Sequence, residues 1–427
     1  MALNFPVRKS DLAGGARLVT DATTRITDLV EAMHERIARP PGVPPPAAEG
    51  RTFGITGFVY ASIRGITRAV GIGVEALVEL FVPPLGSDEP SPRREAVIAA
   101  LNGVLGDHLE ATGNPLAKPM ALRRDGVALP LEAEALAASL PEASDGVLVS
   151  IHGLCMNDLQ WSRDGRERDV ELADALGLTA LRLDYNSGRH IHANGRDLAD
   201  RLEALVDLWP RPLARIVLVG HSMGGLVARS AFRQGETAGH RWPGLVDDLV
   251  FLATPHHGAP LEKAGHWVDV VLAATPYAAP MARLGRVRSV GIGDLRHGDL
   301  LGEAPSEGAE VSPFADRRVP VPLPTSARCW AIAGALGRRD GDPTDRIVGD
   351  GLVPLASALG HHRDPARALD FARDHQRVFR GIGHLELIWS DEVFDQLRAW
   401  LTSAPPPARD SIGTTSTAEL PGARGSG

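Results

Sequence analysis

The sequence feature that most constrains the fold is an apolar run that enters a glycine-rich turn and continues as a helix-forming segment. The run Ile216–Val219 leads directly into Gly220-His-Ser-Met-Gly-Gly225. A strand, a sharp turn and a helix in this order are the context that a nucleophile elbow requires. Gly220 and Gly224 leave room where side chains would collide with the strand or the helix. The pattern predicts that the turn presents Ser222 at the sheet edge, beside a helix N-terminus that favours an oxyanion.

The serine pattern alone does not show that Ser222 is catalytic. A chain with 46 glycines can produce the pattern G-x-S-x-G by chance, so a glycine-rich turn with an idle serine is the alternative interpretation. A serine hydroxyl becomes a good nucleophile only when a base removes its proton and an acid orients that base. The rest of the sequence must therefore supply these partners, in the order serine, acid, histidine.

Short apolar runs alternate with amphipathic helical patterns from about residue 116 onward. This alternation is typical of a parallel sheet covered by helices. We therefore expect an α/β fold with a mostly parallel, doubly wound sheet over residues 116–402. The strand candidates are residues 146–152, 179–185, 215–219, 248–253 and 328–333. Residues 198–209 carry an apolar stripe that predicts a helix between two of these strands, and residues 391–401 predict a last helix capped by Ser390.

The regions on either side differ in composition. Residues 1–115 are predicted to form an N-terminal helical extension with a proline-rich linker near residues 39–48. Residues 403–427 are polar and rich in proline and glycine, which predicts a disordered tail. Residues 53–82 are apolar and fit either a helix pair packed on the main domain or an amphipathic segment on a lipid surface. Their charges balance, which favours the helix pair and leaves peripheral membrane contact open.

Charge and composition narrow the class of protein. The net charge of −8 and the absence of a basic stripe argue against a nucleic-acid partner. The N-terminal residues lack the apolar core of a signal peptide, and no apolar run reaches the roughly 18 residues of a membrane span. Cys155 and Cys329 are far apart in sequence and predict two reduced thiols. We expect a cytoplasmic enzyme, with membrane association through residues 53–82 as an open alternative.

The acid and the base are expected in loops that follow later strands. Asp350 is the predicted acid, because it lies between two glycines in a tight turn that can face a histidine. His384 is the predicted base, because it follows small residues and precedes the last helix. Asp340, Asp342 and Asp345 predict a solvated loop, with a cation site as the alternative. His361, His362 and His375 are predicted to be surface residues, whereas His256 and His257 are predicted to shape a turn.

A tetrahedral intermediate also needs two backbone N–H donors beside the serine. The amide of Met223, directly after the serine, is one candidate. The other should come from the loop after an early strand, where the sequence Ile151-His-Gly-Leu154 lies. Here His152 and Gly153 would shape the turn, so that Leu154 would supply the second amide. An ordinary exit from a strand into a loop is the alternative.

A long segment, about residues 259–320, separates two of the strand candidates. Connections of this length inside a compact domain usually have a function. The segment is rich in apolar residues, which predicts a cap or lid that shapes an apolar acyl pocket. An inert insertion is the alternative.

Five sequence blocks, in this order, resemble the bacterial lipases of the α/β-hydrolase superfamily and the GPI inositol-deacylase-like hydrolases. The blocks are residues 151–154, 220–225, 252–258, 349–353 and 383–385. The resemblance implies an α/β-hydrolase fold over residues 116–402, with Ser222 as nucleophile, Asp350 as acid and His384 as base. It also implies Leu154 and Met223 as oxyanion-hole donors. The long N-terminal region and the lack of a secretion signal depart from the secreted lipases.

These observations predict a serine hydrolase that cleaves carboxylic esters with an apolar acyl part, without a metal or an organic cofactor. Acyl transfer to an alcohol, and amide or thioester cleavage, would use the same residues. A non-catalytic scaffold that binds a membrane or a partner through residues 53–82 is a third interpretation. The sequence does not predict the acyl length, the head group or the oligomeric state.

Overall fold

One mixed sheet forms the framework of the protein. A computed structural model describes residues 8–38, 56, 59–65, 67, 92–258, 289–302, 318–339 and 349–403. The strands are β1 (Ala121–Arg124), β2 (Val127–Ala128), β3 (Gly146–Ile151), β4 (Ser162–Arg163), β5 (Arg166–Glu167), β6 (Thr179–Asp184), β7 (Arg215–His221), β8 (Val246–Leu252), β9 (Arg328–Ala335) and β10 (Gln376–Arg380). Eight of them form the sheet in the order β10-β9-β8-β7-β3-β6-β1-β2, while β4 and β5 form a separate hairpin.

The sheet is parallel except at one edge. Strands β10, β9, β8, β7, β3 and β6 pair in parallel, whereas β1 pairs antiparallel with β6 and β2. Every residue of β3 and β8 is buried. Strands buried on both faces show no alternation of apolar and polar residues, so their apolar runs, such as Leu249–Leu252, can be recognised in the sequence.

Helices cover both faces of this sheet. They are α1 (Lys9–Ala38), α2 (Pro92–Ala111), α3 (Ala133–Ser139), α4 (Arg168–Ala175), α5 (Ile191–Leu208), α6 (Met223–Ala238), α7 (Val290–His297), α8 (Leu355–Ala358) and α9 (Asp391–Ser403). Leu198 and Leu202 of α5 and Phe232 of α6 belong to one hydrophobic core. Leu172 of α4 and Leu397 of α9 belong to a second core. The predicted α/β fold with a mostly parallel, doubly wound sheet is therefore confirmed.

The five predicted strands are all present, with ends that differ by at most two residues. Two features of the sheet were not predicted. Strand β10 has the sequence Gln-Arg-Val-Phe-Arg and lies at an edge, so it lacks a continuous apolar run. The hairpin of β1 and β2 turns at Asp125 and Gly126, whose φ angles are 51° and 75°. An Asp-Gly pair is a strong hairpin signal that our interpretation of the sequence overlooked.

The N-terminal helix α1 docks onto α2 through charged groups. The guanidinium of Arg94 binds both carboxylate oxygens of Asp11, at 2.6 and 2.7 Å. His108 Nε2 lies 3.1 Å from a carboxylate oxygen of Asp21. These contacts agree with a helical N-terminal extension, while the boundary at residue 115 stays a prediction.

Several predicted segments lie wholly or largely outside the described residues. They are the proline-rich linker near 39–48, most of 53–82, the tail from 404 onward and the aspartates at 340, 342 and 345. Of the predicted cap at 259–320, the structure describes residues 289–302, which contain α7, and residues 318–320. Among the described helices, none has both the length and the apolar character needed to cross a bilayer.

Candidate active site

Ser222 occupies the turn between β7 and α6. Its backbone has φ 55° and ψ −123°, a conformation that L-residues other than glycine rarely adopt. The amide of Ser222 donates to the carbonyl oxygen of Leu252 at 2.8 Å, which ties the turn to the end of β8. The residue is only 1% exposed. The strained turn agrees with the predicted elbow, and the serine itself is buried.

Three glycines leave the space that this turn requires. A Cβ built on Gly220 would lie 2.5 Å from the Cα of Gly225, and one on Gly224 would lie 2.3 Å from the carbonyl oxygen of Ile151. A Cβ on Gly225 would lie 2.0 Å from Oγ1 of Thr254. The first two requirements agree with our interpretation of the sequence. The third comes from a residue 29 positions away, which the local pattern could not indicate.

Replacing Gly224 by alanine is expected to destabilise the protein by about 2 kcal/mol or more, because the new methyl group meets backbone atoms rather than movable side chains. Gly293 of α7 provides a matched control, since a Cβ there meets nothing within 4 Å. Gly293→Ala should be neutral or stabilise by up to about 1 kcal/mol through helix propensity. Urea unfolding of both variants measures the difference. Equal stabilities would contradict the packing described for the elbow.

Asp350 and His384 meet directly. The Nδ1 of His384 lies 2.7 Å from Oδ2 of Asp350, and both side chains are buried. A carboxylate only accepts, so Nδ1 carries the proton and donates it. The other oxygen, Oδ1 of Asp350, accepts the backbone amides of Leu352 at 3.0 Å and Val353 at 2.8 Å. The structure thus brings the predicted acid and base together and fixes the carboxylate from its far side.

His384 also lies beside the serine turn. The Nε2–H of His221 donates to the carbonyl oxygen of His384 at 3.0 Å, and the two ring centroids are 4.8 Å apart. Burial, with a smaller contribution from His384, lowers the pKa of His221 well below its ordinary value, so this donor is a neutral imidazole. His221 is a site residue that sequence reasoning missed, because no local signal indicates a partner 163 residues away.

The loop after β3 passes next to the serine. A Cβ built on Gly153 would lie 3.1 Å from the Cβ of Ser222. Leu154 is buried beside it, and Cys155 follows with φ 58°. Met223 is the first residue of α6, where amides have no acceptor within the helix. The two candidate oxyanion donors, Leu154 and Met223, therefore lie on segments that border Ser222, and their role stays a prediction.

His152 holds the first turn of this loop. Its Nε2 accepts the amide of Tyr185 at 3.3 Å, which leaves Nδ1 to donate to the carbonyl oxygen of Gly153 at 2.8 Å. The hydroxyl of Tyr185 donates to the carbonyl oxygen of His152 at 2.9 Å. These bonds agree with the prediction that His152 and Gly153 shape the turn.

Helix α2 supports the same loop from the other side. A Cβ built on Gly103 would lie 2.9 Å from both the N and the Cα of Cys155. The amide of Cys155 donates to Oγ of Ser187 at 3.0 Å. Burial raises the pKa of the Cys155 thiol to about 12, which agrees with an unreactive, reduced cysteine. A helix of the N-terminal region therefore sets the position of the candidate oxyanion loop.

Gly103→Ala is expected to shift this loop and lower kcat by about 10- to 100-fold, because misplacing an oxyanion donor by a fraction of an ångström weakens transition-state binding. The rate of inactivation by a fluorophosphonate should fall in parallel, although the serine is intact. Gly15→Ala in α1, where a Cβ meets nothing within 4 Å, is the control. Full activity in Gly103→Ala would show that the loop does not depend on α2.

The histidine pair after β8 anchors its loop to the segment around α8. The amide of His256 donates to the carbonyl oxygen of Ser357 at 3.2 Å. His257 donates from its amide to Oγ of Ser357 at 3.1 Å and from Nε2 to the carbonyl oxygen of Gly360 at 3.0 Å. These contacts agree with the predicted turn-shaping role. His375, predicted as a surface residue, is half-buried and stacks on Trp330 with centroids 3.7 Å apart.

The stability of the fold should depend on pH through His257. Burial lowers its pKa to about 4, below the roughly 6.5 of an unfolded chain. The folded state favours the neutral ring, so its stabilisation is complete above pH ~6.5 and is lost as pH falls toward 4. Burial also lowers the pKa values of His221 and His256, so protonation of these residues likewise destabilises the fold as the pH falls. Burial alone would raise the pKa of Asp184, but Lys118 and His152 lower it to about 2, so this carboxylate affects stability only under more acidic conditions.

In His257→Gln, whose amide can still donate to the carbonyl of Gly360, the free energy of unfolding should fall less steeply between pH 6.5 and 4. His361→Gln is the matched control, because His361 is exposed. Denaturant unfolding at a series of pH values measures both slopes. Identical slopes in the two variants would argue against a buried neutral His257.

Known proteins resemble this chain in sequence and in fold. Residues 147–304 match the family model described as "PGAP1-like alpha/beta domain". A GPI inositol-deacylase of Candida albicans is 33% identical over 101 residues, which cover 22% of this chain and 24% of that protein. The chain therefore spans about a quarter of the length of this curated relative.

Two similar solved structures are a lipase and an esterase. The mature lipase BlEst2 of Bacillus licheniformis is 19% identical, with a TM-score of 0.38, over 60% of this chain and 91% of its own. A hyperthermophilic esterase from Pyrobaculum calidifontis is 16% identical, with a TM-score of 0.38, over 73% and 88%. The sheet topology and the family match together agree with the α/β-hydrolase superfamily, as the sequence predicted.

Proposed function

We propose that this chain is a serine hydrolase that cleaves carboxylic esters with an apolar acyl part. The observation that carries the proposal is the strained turn at Ser222 beside the 2.7 Å hydrogen bond between His384 and Asp350. Three elements far apart in sequence converge there at the carboxyl ends of parallel strands. This is where open α/β sheets bind ligands and place their chemistry.

The proposed reaction has two halves. The hydroxyl oxygen of Ser222 attacks the ester carbonyl while Nε2 of His384 takes the hydroxyl proton, and the amides of Leu154 and Met223 bind the resulting oxyanion. The intermediate collapses, the C–O bond to the alcohol breaks, and His384 returns the proton to the leaving alkoxide. Water then attacks the acyl-serine while His384 takes a proton from it. The bond between the acyl carbon and the oxygen of Ser222 breaks, His384 returns the proton to that oxygen, and the acid is released.

Asp350 would orient the imidazole throughout. Its Oδ2 accepts a hydrogen bond from Nδ1–H of His384, which would leave Nε2 unprotonated, as the base that takes the proton of Ser222 must be. Its Oδ1 is already engaged by two backbone amides. The imidazolium that forms during the reaction is stabilised by the same carboxylate. No step of this mechanism requires a metal or an organic cofactor.

The curated relative suggests a particular type of ester. That protein is a GPI inositol-deacylase, and the matched stretch is 33% identical over 101 residues. An acyl chain esterified to an inositol head group is therefore a second candidate substrate for this chain. Contact with a lipid surface through residues 53–82 would suit such a substrate and stays a prediction.

A panel of p-nitrophenyl esters with increasing acyl length tests the proposal. We expect turnover, with kcat/KM rising as the acyl chain lengthens from acetyl. An acylated inositol lipid in mixed micelles should be added to the panel. Added alcohols distinguish an acyltransferase, because they would divert the acyl group from water, and thioester or amide analogues distinguish those activities. Absence of turnover on every acyl substrate would favour a non-catalytic scaffold.

A further inference from the structure

A second cluster of chemically reactive side chains lies where α5 begins. His190 is the residue before α5, His192 is in its first turn, and Asp294 reaches them from α7. One nitrogen of each imidazole and one carboxylate oxygen all lie within 4.8 Å of one another. The cluster joins the hydrolase core to the described part of the predicted cap, and the proposed ester hydrolysis makes no use of it.

The donor set is that of a transition-metal site. Two imidazoles and a carboxylate are ligands that Zn²⁺ prefers, whereas Ca²⁺ and Mg²⁺ prefer oxygen ligands alone. In a tetrahedral Zn²⁺ site, ligand atoms lie about 3.4 Å apart, given metal–ligand distances near 2.1 Å. The Nδ1 of His190 is already 3.0 Å from Oδ2 of Asp294. The ligand atoms lie at most 4.8 Å apart, so they would have to approach by up to about 1.4 Å when the ion binds.

The carboxylate is held in place by the protein. The Oδ2 of Asp294 accepts the backbone amide of Ile191 at 2.9 Å, and its side chain is only 13% exposed. A backbone donor that orients a ligating carboxylate is a common feature around metal ligands. The orientation of the Asp294 carboxylate toward the two imidazoles is therefore set by the protein and does not depend on how the imidazoles rotate.

The turn after α7 closes the cluster from another side. Gly302, with φ 64°, packs so tightly on His192 that a built Cβ would lie 2.4 Å from its Nδ1. Asp299 holds this turn through the amides of Leu301 and Gly302, at 3.2 and 3.1 Å. Asp299 also adds a second negative charge near Asp294 and His192.

We propose that His190, His192 and Asp294 form a Zn²⁺ site that fastens α7 to the N-terminal end of α5. Three protein ligands leave a fourth tetrahedral position for water. The ion would join residues about 100 positions apart in sequence and hold the described part of the cap segment on the core. Its role is structural and separate from the reaction at Ser222.

Isothermal titration of chelator-treated, desalted protein with ZnCl₂ tests the site, with CaCl₂ as the comparison ion. We expect one Zn²⁺ per chain, no Ca²⁺ binding, and a rise in Tm on adding Zn²⁺. Asp294→Asn keeps an acceptor for the amide of Ile191 and so should fold. It should lower the Zn²⁺ affinity at least about 100-fold, as should His192→Ala, since changes even around metal ligands cost about 10- to 100-fold.

The matched control is His297→Ala, which removes an exposed histidine from the same helix α7 but outside the cluster. It should bind Zn²⁺ like the unaltered protein. Circular dichroism checks that each variant is folded. No stoichiometric Zn²⁺ binding, or equal affinity in Asp294→Asn, His192→Ala and His297→Ala, would overturn the proposal.

Discussion

Replacing Ser222 by alanine is expected to lower kcat for a carboxylic ester by about 10⁴- to 10⁶-fold, because the residue that would form the acyl-enzyme is lost. Only the oxyanion donors and substrate binding would then accelerate the reaction. Stability should not fall with activity. The hydroxyl oxygen is buried and, within the described chain, has no hydrogen-bond partner. Removing it therefore costs little and can stabilise the fold.

Ser150 of β3 provides the matched control for this variant. It is as deeply buried as Ser222, and its hydroxyl also lacks a partner in the part of the chain that the structure describes. Ser150→Ala should therefore keep its activity and its Tm. Steady-state kinetics and thermal unfolding of the two variants make the comparison. Comparable ester hydrolysis in both would show that Ser222 is an idle serine in a glycine-rich turn.

Asp350→Asn is expected to lower kcat by about 10³- to 10⁴-fold. The Oδ1 of Asp350 already accepts two backbone amides, so an asparagine should keep its oxygen there and present its NH₂ group to Nδ1 of His384. Two donors cannot share a hydrogen bond, and the imidazole would take the tautomer with its proton on Nε2. That tautomer cannot accept the proton of the serine.

The comparison for this variant is Asp370→Asn, which removes one negative charge at an exposed position. We expect no change in kcat from it. Raising the pH should not restore Asp350→Asn, because the defect is the position of a proton rather than its loss. Near-normal turnover in Asp350→Asn would remove Asp350 from the proposed mechanism, while the elbow could still hold the nucleophile.

The central strands could be predicted because their surroundings dictate their composition. Strands buried on both faces are mostly apolar, and β3, β7 and β8 therefore stand out in the sequence through runs such as Val217–Val219 and Leu249–Leu252. The edge strand β10 was not predicted, because partly exposed positions accept Gln376 and Arg377. Edge strands are in general harder to recognise in a sequence. An edge strand has a neighbouring strand on one side only, so more of its positions are exposed and can be polar.

In the candidate site, features that depend on neighbouring residues could be predicted from the sequence, whereas contacts between distant segments could not. The elbow was predicted because a sharp turn from strand to helix needs glycines at fixed offsets. Asp350 was predicted from its two flanking glycines, whose φ angles of 54° and 103° hold the turn. The contact of Gly103 with Cys155 and the bond from His221 to His384 could not be predicted. Each joins segments whose proximity exists only in the folded chain.

The most direct test of the account is to treat the native protein with a fluorophosphonate and identify the modified residue by peptide mapping. We predict one phosphonyl group per chain, attached to Ser222, with ester hydrolysis lost in proportion to labelling. Denatured protein should not react, because the hydroxyl is activated only by the folded site. A native protein that hydrolyses esters while Ser222 stays unmodified, or a label on another residue, would contradict the account.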